Sequence, residues 1–211
     1  LKNVFTVFVS PEETFKRVRE SKLTWLYALI AIVVLSGAVI FIQSSILDRE
    51  IMRSLQSQQI DTSLQETVMA TAKTTAYVMA IIVPVILAFI TGLLLMLLNL
   101  VVRGEGKYMQ FVSVAALSAM PGVVGSIIAS VVARAAGAQS MTEVSLSLGA
   151  FISDKSSALY HWLSIINPFS LWSLFLYVVG ASVMMKRSRK TVGTWIVIAW
   201  LLLSVVSILM L

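Results

Sequence analysis

The sequence predicts an all-α integral membrane protein, a five-helix transmembrane bundle with a cytoplasmic N-terminus and an extracellular C-terminus. Three observations predict it. Of 211 residues, 58% are hydrophobic and 12% charged, whereas a soluble domain runs at about 45–50% apolar and about 25% charged. The apolar residues gather in five blocks that contain no Asp, Glu, Lys, Arg or His. Lys and Arg are divided unequally between the connections, and that asymmetry sets a direction across the membrane.

Residues 1–22 form a polar, amphipathic cytoplasmic leader ahead of a membrane domain that occupies residues 23–211. Ser10-Pro11-Glu12-Glu13 reads as a helix start, with Ser10 as cap, Pro11 at the first position and Glu13 three residues after the cap. Phe15 and Val18 then share a face, with Lys16, Arg17, Arg19 and Lys22 around it. Such a helix lies on an anionic membrane surface, and an ordinary solvated helix has the same pattern. The chain begins at Leu1, so a short preceding segment is expected. The first apolar block is too long for a cleaved signal peptide, and its small residues Ser36, Gly37 and Ala38 lie inside it.

The predicted spans are Leu23–Leu47, Thr74–Val102, Tyr108–Ala133, Phe169–Met185 and Thr191–Leu211. At about 1.5 Å per residue each can cross a hydrocarbon core of about 30 Å. Unpaired backbone amides are too costly in lipid for anything but helices or a closed barrel, and barrel-type alternation is absent. Four connections join the spans. Asp48–Lys73 is polar, with Met52, Leu55, Leu64 and Val68 at loose helical spacing, and Arg103–Lys107 is a tight turn. Arg134–Pro168 is long and mixed, and Lys186–Lys190 is a short basic turn. Within the third connection, Leu159, Trp162, Leu163 and Ile166 mark one face of an interfacial helix that ends at Asn167-Pro168.

The leader, the 103–107 turn and the 186–190 turn hold 11 of the 16 Lys and Arg; the two long connections hold 5. The positive-inside rule therefore places the leader and short turns in the cytoplasm and the long connections outside.

In the third span, Ser118, Gly122, Ser126 and Ser130 recur every four residues, with Gly125 and Ala129 beside them. Small residues at this spacing let helix backbones approach closely in lipid. This face is the candidate helix-packing surface, and it puts the third span at the centre of the bundle. Pro84 and Pro121 lie inside spans and are expected to kink them.

Chemistry has little to work with. All charged residues lie in the leader and connections, although intramembrane enzymes and ion-coupled transporters use ionisable groups within their spans. With no cysteine, disulfides and Cys-type metal or redox sites are excluded. No zinc-protease, nucleophile-elbow or Walker motif occurs. Catalytic, metal and cofactor residues are accordingly expected to be none, and the formal charge of +6 reflects topology, not nucleic-acid binding. Gly104-Glu105-Gly106 is too short for a phosphate loop and is read as a steric need of a tight turn. Asn99 is expected to bond to a neighbouring helix or reach the interface, and His161 to be an interfacial polar residue.

Together, Ser-Pro-Glu-Glu-Thr-Phe (10–15), the five spans, Gly-Glu-Gly-Lys-Tyr (104–108) and Asn-Pro-Phe-Ser-Leu-Trp (167–172) resemble the bacterial branch of the Yip (Ypt-interacting protein) domain family. The candidate family-motif or partner positions are Pro11, Phe15, Gly104, Glu105, Gly106, Asn167, Pro168, Phe169 and Trp172. The resemblance implies a five-span protein of the bacterial plasma membrane with a cytoplasmic N-terminus. The Asp-Leu-x-Gly-Pro signature of the GTPase-contacting eukaryotic branch is missing. The chain looks most like an accessory membrane subunit of a macrolide-exporter-type ABC system in Gram-positive bacilli. That likeness implies contacts with permease, ATPase and adaptor proteins, and resistance to an antimicrobial peptide or toxin. Membrane lipids are the other expected partners, and a homo-oligomer is compatible with the small-residue face. Two other readings stand beside it: a stand-alone permease for lipid or apolar peptide, and a membrane-shaping or trafficking-type protein acting through its amphipathic leader.

The charge count predicts that a cysteine replacing Gln58 is labelled by an impermeant thiol reagent in intact cells, and one replacing Ser188 is not; the opposite pattern reverses the topology. The small-residue face predicts that Gly122→Leu lowers stability in detergent more than Leu95→Ala does.

Overall fold

The computed structural model describes residues 2–59 and 61–209. Among them the regular structure is helical, with no strand. Five helices are long and apolar enough to cross a membrane; the final residues of the predicted fifth span, 210–211, fall outside the described residues.

The leader forms two helices, α1 (Lys2–Val9) and α2 (Pro11–Glu20). Pro11 opens α2, but the Ser10 side chain does not cap it. The Ser10 hydroxyl instead donates to the Thr6 carbonyl at 3.5 Å, because α1 already occupies the preceding turn. Thr14 Oγ1 donates to Thr6 Oγ1 at 2.8 Å and closes the two helices into a corner. Val7, Thr14, Phe15 and Val18 are buried. The apolar face expected to meet the membrane surface, or to remain part of a solvated helix, is therefore used inside the molecule. What α1 leaves exposed is Phe5 and Val9.

The first two spans are α3 (Thr24–Ser57) and α4 (Thr62–Val101). The predicted polar connection 48–73 is thus almost entirely helix. It contains no Gly or Pro to break one, and Arg, Glu, Met, Leu and Gln are good helix formers. Helix α3 ends at Ser57, Gln59 takes φ +53°, and Asp61 caps α4 by accepting from the Ser63 amide at 3.0 Å. At 34 and 40 residues, α3 and α4 are about 51 and 60 Å long and form a hairpin extending past a core of about 30 Å. Leu55 is buried within it, and Asp48 pairs with Lys73 at 2.8 Å across its base.

The third span divides into α5 (Tyr108–Ser118) and α6 (Met120–Ala135). Pro121 falls in the first turn of α6, where a missing amide hydrogen costs nothing. Pro84, by contrast, lies within an unbroken α4. Residues 111–118 of α5 are all buried; α5 packs against α3 and α4 and touches both leader helices. The third span is therefore central through its α5 half.

The long connection carries two short 3-10 turns, Met141–Glu143 and Leu148–Phe151, and then α7 (Ala158–Ser164), capped by Ser157. The last spans are α8 (Pro168–Met185) and α9 (Arg189–Leu209). Helix α8 packs on α2, α5, α6 and α9. Glycines at two helix crossings permit close approach. A Cβ at Gly92 of α4 would lie 2.8 Å from the Val112 side chain, and one at Gly180 of α8 would lie 2.8 Å from Val114 and 2.9 Å from the Phe15 ring. Helix α9 sits at the periphery, with Val192 its one buried residue among those described.

Phe15→Ala is expected to lower unfolding stability in mild detergent by about 3–5 kcal/mol. Gly37→Ala, where an added methyl meets nothing within 4 Å, serves as the neutral control. An unchanged melting midpoint for Phe15→Ala would mean that the leader is not docked.

Candidate functional site

The motif residues gather at the two ends of the bundle, and each end is built around helix termini whose backbone groups need partners. At the leader end, α4 stops at Val101 and the chain turns through Arg103–Lys107 into α5. Asn99 is 3% exposed. Its Oδ1 accepts from the Gly106 amide at 3.1 Å, and its Nδ2 donates to the Gly106 carbonyl at 3.4 Å. Asn99 therefore closes the turn that follows its own helix and does not reach a neighbouring helix or the interface. A Cβ at Gly104 would lie 2.3 Å from Asn99 Oδ1 and 2.8 Å from Met185 Cβ. This close approach accounts for the glycine there.

The same turn joins α8. The Glu105 amide donates to the Met185 carbonyl at 3.2 Å, and the Glu105 carboxylate pairs with Lys186. Arg19 donates to the Val183 carbonyl at 3.2 Å, a cation at the C-terminal end of α8, where the helix dipole favours it. Gln110 Oε1 accepts from the Lys107 amide at 2.8 Å while its Nε2 donates to the Arg19 carbonyl at 2.8 Å. Glu12 pairs with Arg189 and, at 3.1 Å, with Lys16. The leader and the two short turns thus form one polar latch. Sequence reasoning missed Asn99 and Gln110 as its organisers. The available signal was the Gln three residues after Lys107, a capping-box position.

The Lys186 ammonium holds Glu105 below the usual carboxylate range. Lys16 and then Arg189 do the same for Glu12. Any contribution of these exposed pairs is complete above the ordinary carboxylate range and is lost as pH falls through the lowered values.

At the other end, two motif sets that lie far apart in sequence converge. Asn167 caps α8, accepting from the Phe169 amide at 2.9 Å, and Pro168 occupies the first helical position. Gly122, Gly125, Ser126 and Ala129 of α6, together with Asn167 and Phe169, line one cavity of about 400 Å³. The long connection closes it with Thr142, Ser145, Ser147, Tyr160 and Ser164. The small-residue face is therefore only partly a packing surface. Ser118 and Ser130 are buried and Ser126 is exposed; Ser130 Oγ accepts from Gln43 Nε2 of α3 at 2.8 Å. The tight contact is at Gly125, where a Cβ would lie 2.8 Å from Phe169 Cγ, whereas at Gly122 the nearest atom is Ser173 Oγ at 3.9 Å. The expected ranking of Gly122→Leu over Leu95→Ala rested on close packing that Gly122 lacks, while Leu95 is buried.

Trp172 lies off the cavity on the outer face of α8, its ring 5.8 Å from that of Phe175. His161 stands edge-on to Tyr160 at 5.5 Å. Among the described residues no cluster of three or more His, Cys, Asp or Glu could hold a metal ion.

Gly125→Ala is expected to destabilise the protein by about 1–3 kcal/mol through overpacking against Phe169, and Gly122→Ala to stay within about 0.5 kcal/mol of the parent. Thermal denaturation in one detergent compares them; equal losses would show that Phe169 does not seat on Gly125. Among comparisons with known proteins, the Yip1 domain model matches residues 5–211. No curated protein and no solved structure matches the chain.

Proposed function

The chain belongs to the Yip1 domain family, and on that premise we propose that it is a non-enzymatic accessory membrane subunit. It would assist assembly or activity of an ABC-type exporter in a bacterial plasma membrane, with resistance to an antimicrobial peptide or toxin as the outcome. One observation carries the reading. Glu12, Arg19, Glu105, Lys186 and Arg189 at the leader end are spent on holding helix ends together, while the α3–α4 hairpin extends past the membrane as an arm with exposed surface. Met52, Leu64 and Val68 are exposed along that arm, which suits contact with another protein's extramembrane part.

The excess of Lys and Arg at the leader end supports a cytoplasmic latch and an extracytoplasmic arm. The reverse orientation would place the basic turns outside. Burial of Phe15 and Val18 inside the protein weighs against α2 as a free membrane sensor.

The test is cross-linking in cells from a photoreactive residue at Met52 or Val68, followed by purification in mild detergent. Recovery of an ABC permease, its ATPase or an adaptor is expected from the arm and not from Trp172, on the outer face of α8. Recovery of the protein alone from every position would remove the proposal's support.

A further inference from the structure

We infer that the hairpin end of the bundle holds one amphiphile, with an uncharged, polyhydroxylated headgroup in the hydroxyl-lined cavity and an acyl chain in the crevice behind it. The cavity's chemistry comes first. Its walls supply hydroxyls from serines, a threonine and Tyr160, and the Asn167 amide, but no charged side chain. Hydroxyls both donate and accept, as do those of a sugar or polyol. An anionic headgroup would be desolvated there without a counter-charge, which is costly. Lys155, on the Thr142 carbonyl at 3.0 Å, and Arg49, on the Ala138 carbonyl at 2.7 Å, do not line the cavity. The volume of about 400 Å³ falls within the range of about 300–1,000 Å³ usual for small-ligand sites.

Not every hydroxyl near the cavity is free to bind. Ser164 Oγ is shielded from solvent and has no hydrogen-bond partner. It is held in place: a Cβ at Gly149 would lie 2.3 Å from it, and 3.1 Å from Ser147 Oγ. Ser147 Oγ is already committed to Ser145 Oγ and the Gly149 amide. A ligand cannot bond to an oxygen that water itself cannot touch, so the headgroup's partners are the other hydroxyls, Tyr160 and Ser126 among them.

A second observation supplies the tail. Ser126 borders the polar cavity and also a crevice of about 310 Å³ between α3, α4 and α6, walled by Val39, Ile40, Val83 and Pro84. Ser36, Pro84 and Val123 border in turn a deeper space of about 260 Å³ that reaches Ala119 and Leu87. From Ser126 to Ala119 is about 10 Å along the helix. The lining therefore changes from hydroxyl to hydrocarbon in passing from the bundle end into the membrane, as an amphiphile requires.

The test uses purified full-length protein in detergent, offered a glycosyl diacylglycerol, a phosphatidylglycerol or a phosphatidylethanolamine, with retained lipid counted by native mass spectrometry. The glycolipid is expected to be retained at least about tenfold better than either phospholipid. Tyr160→Phe, which removes one hydroxyl from the cavity wall, should reduce that retention several-fold with an unchanged melting midpoint in lipid-free protein. Gly122→Leu, which fills the cavity from open space, should abolish it. Equal or better retention of a phospholipid would overturn the headgroup assignment. Unchanged retention in both variants would overturn the site. Equal binding of the free headgroup sugar would overturn the acyl-chain half. None of these outcomes bears on the exporter partnership, which is read by cross-linking.

Discussion

A backbone amide or carbonyl inside a bilayer has no water to bond to, so each must find a partner within the protein. In the middle of a helix this is automatic. At helix ends it is not, and the ends of these spans account for most of the polar contacts that hold the bundle. Asn99 serves the Gly106 amide and carbonyl, Asn167 serves the start of α8, and Arg19 serves a carbonyl at the end of α8. The family motifs are largely the chemistry of these ends. Gly104 is small because the Asn99 cap must fit beside it, and Gly106 because the Phe111 ring must; Asn167-Pro168 is a cap followed by a residue with no amide hydrogen to satisfy.

The same constraint explains the leader. An amphipathic helix with one apolar face has two places to bury it, the lipid interface or a neighbouring helix. Gly180 leaves a hollow in α8 that the Phe15 ring occupies, and Arg19 and Gln110 then bond across to α8 and α2. Burial of Phe15 and Val18 and the satisfaction of helix-end groups act together. The leader becomes the floor of the bundle, and Phe5 and Val9 of α1 are left as its apolar contacts with the surroundings.

The opposite end is looser. The α5 half of the third span is packed on every side, while the α6 half faces a cavity. The break at Ala119, next to Pro121, is where the character changes. A central helix packed throughout would leave no room for a ligand. Here Gly125 seats Phe169, and Gly122 and Ser126 remain open. One span is thus divided between a packed half at the leader end and a recessed half at the hairpin end.

The sequence by itself determined the number and approximate extent of the apolar helices, because transfer of uncharged blocks into lipid is a local property of composition. In the chain alone Asn167-Pro168 marked where the interfacial helix ends; that Asn167 also caps α8 came from the structure. The sequence did not determine the hairpin: residues 48–73 looked like a polar loop because hydropathy reports exposure to lipid, and a helix that leaves the membrane is polar too. Nor did it determine what Phe15, Asn99 or the small-residue face would touch. Those contacts join residues far apart in the chain or depend on the exact turn between two helices. Only the tertiary structure decided that the leader docks on α8, and that Gly122, Ser126 and Asn167 share one cavity, because steric fit between distant segments is not written in the period of either one.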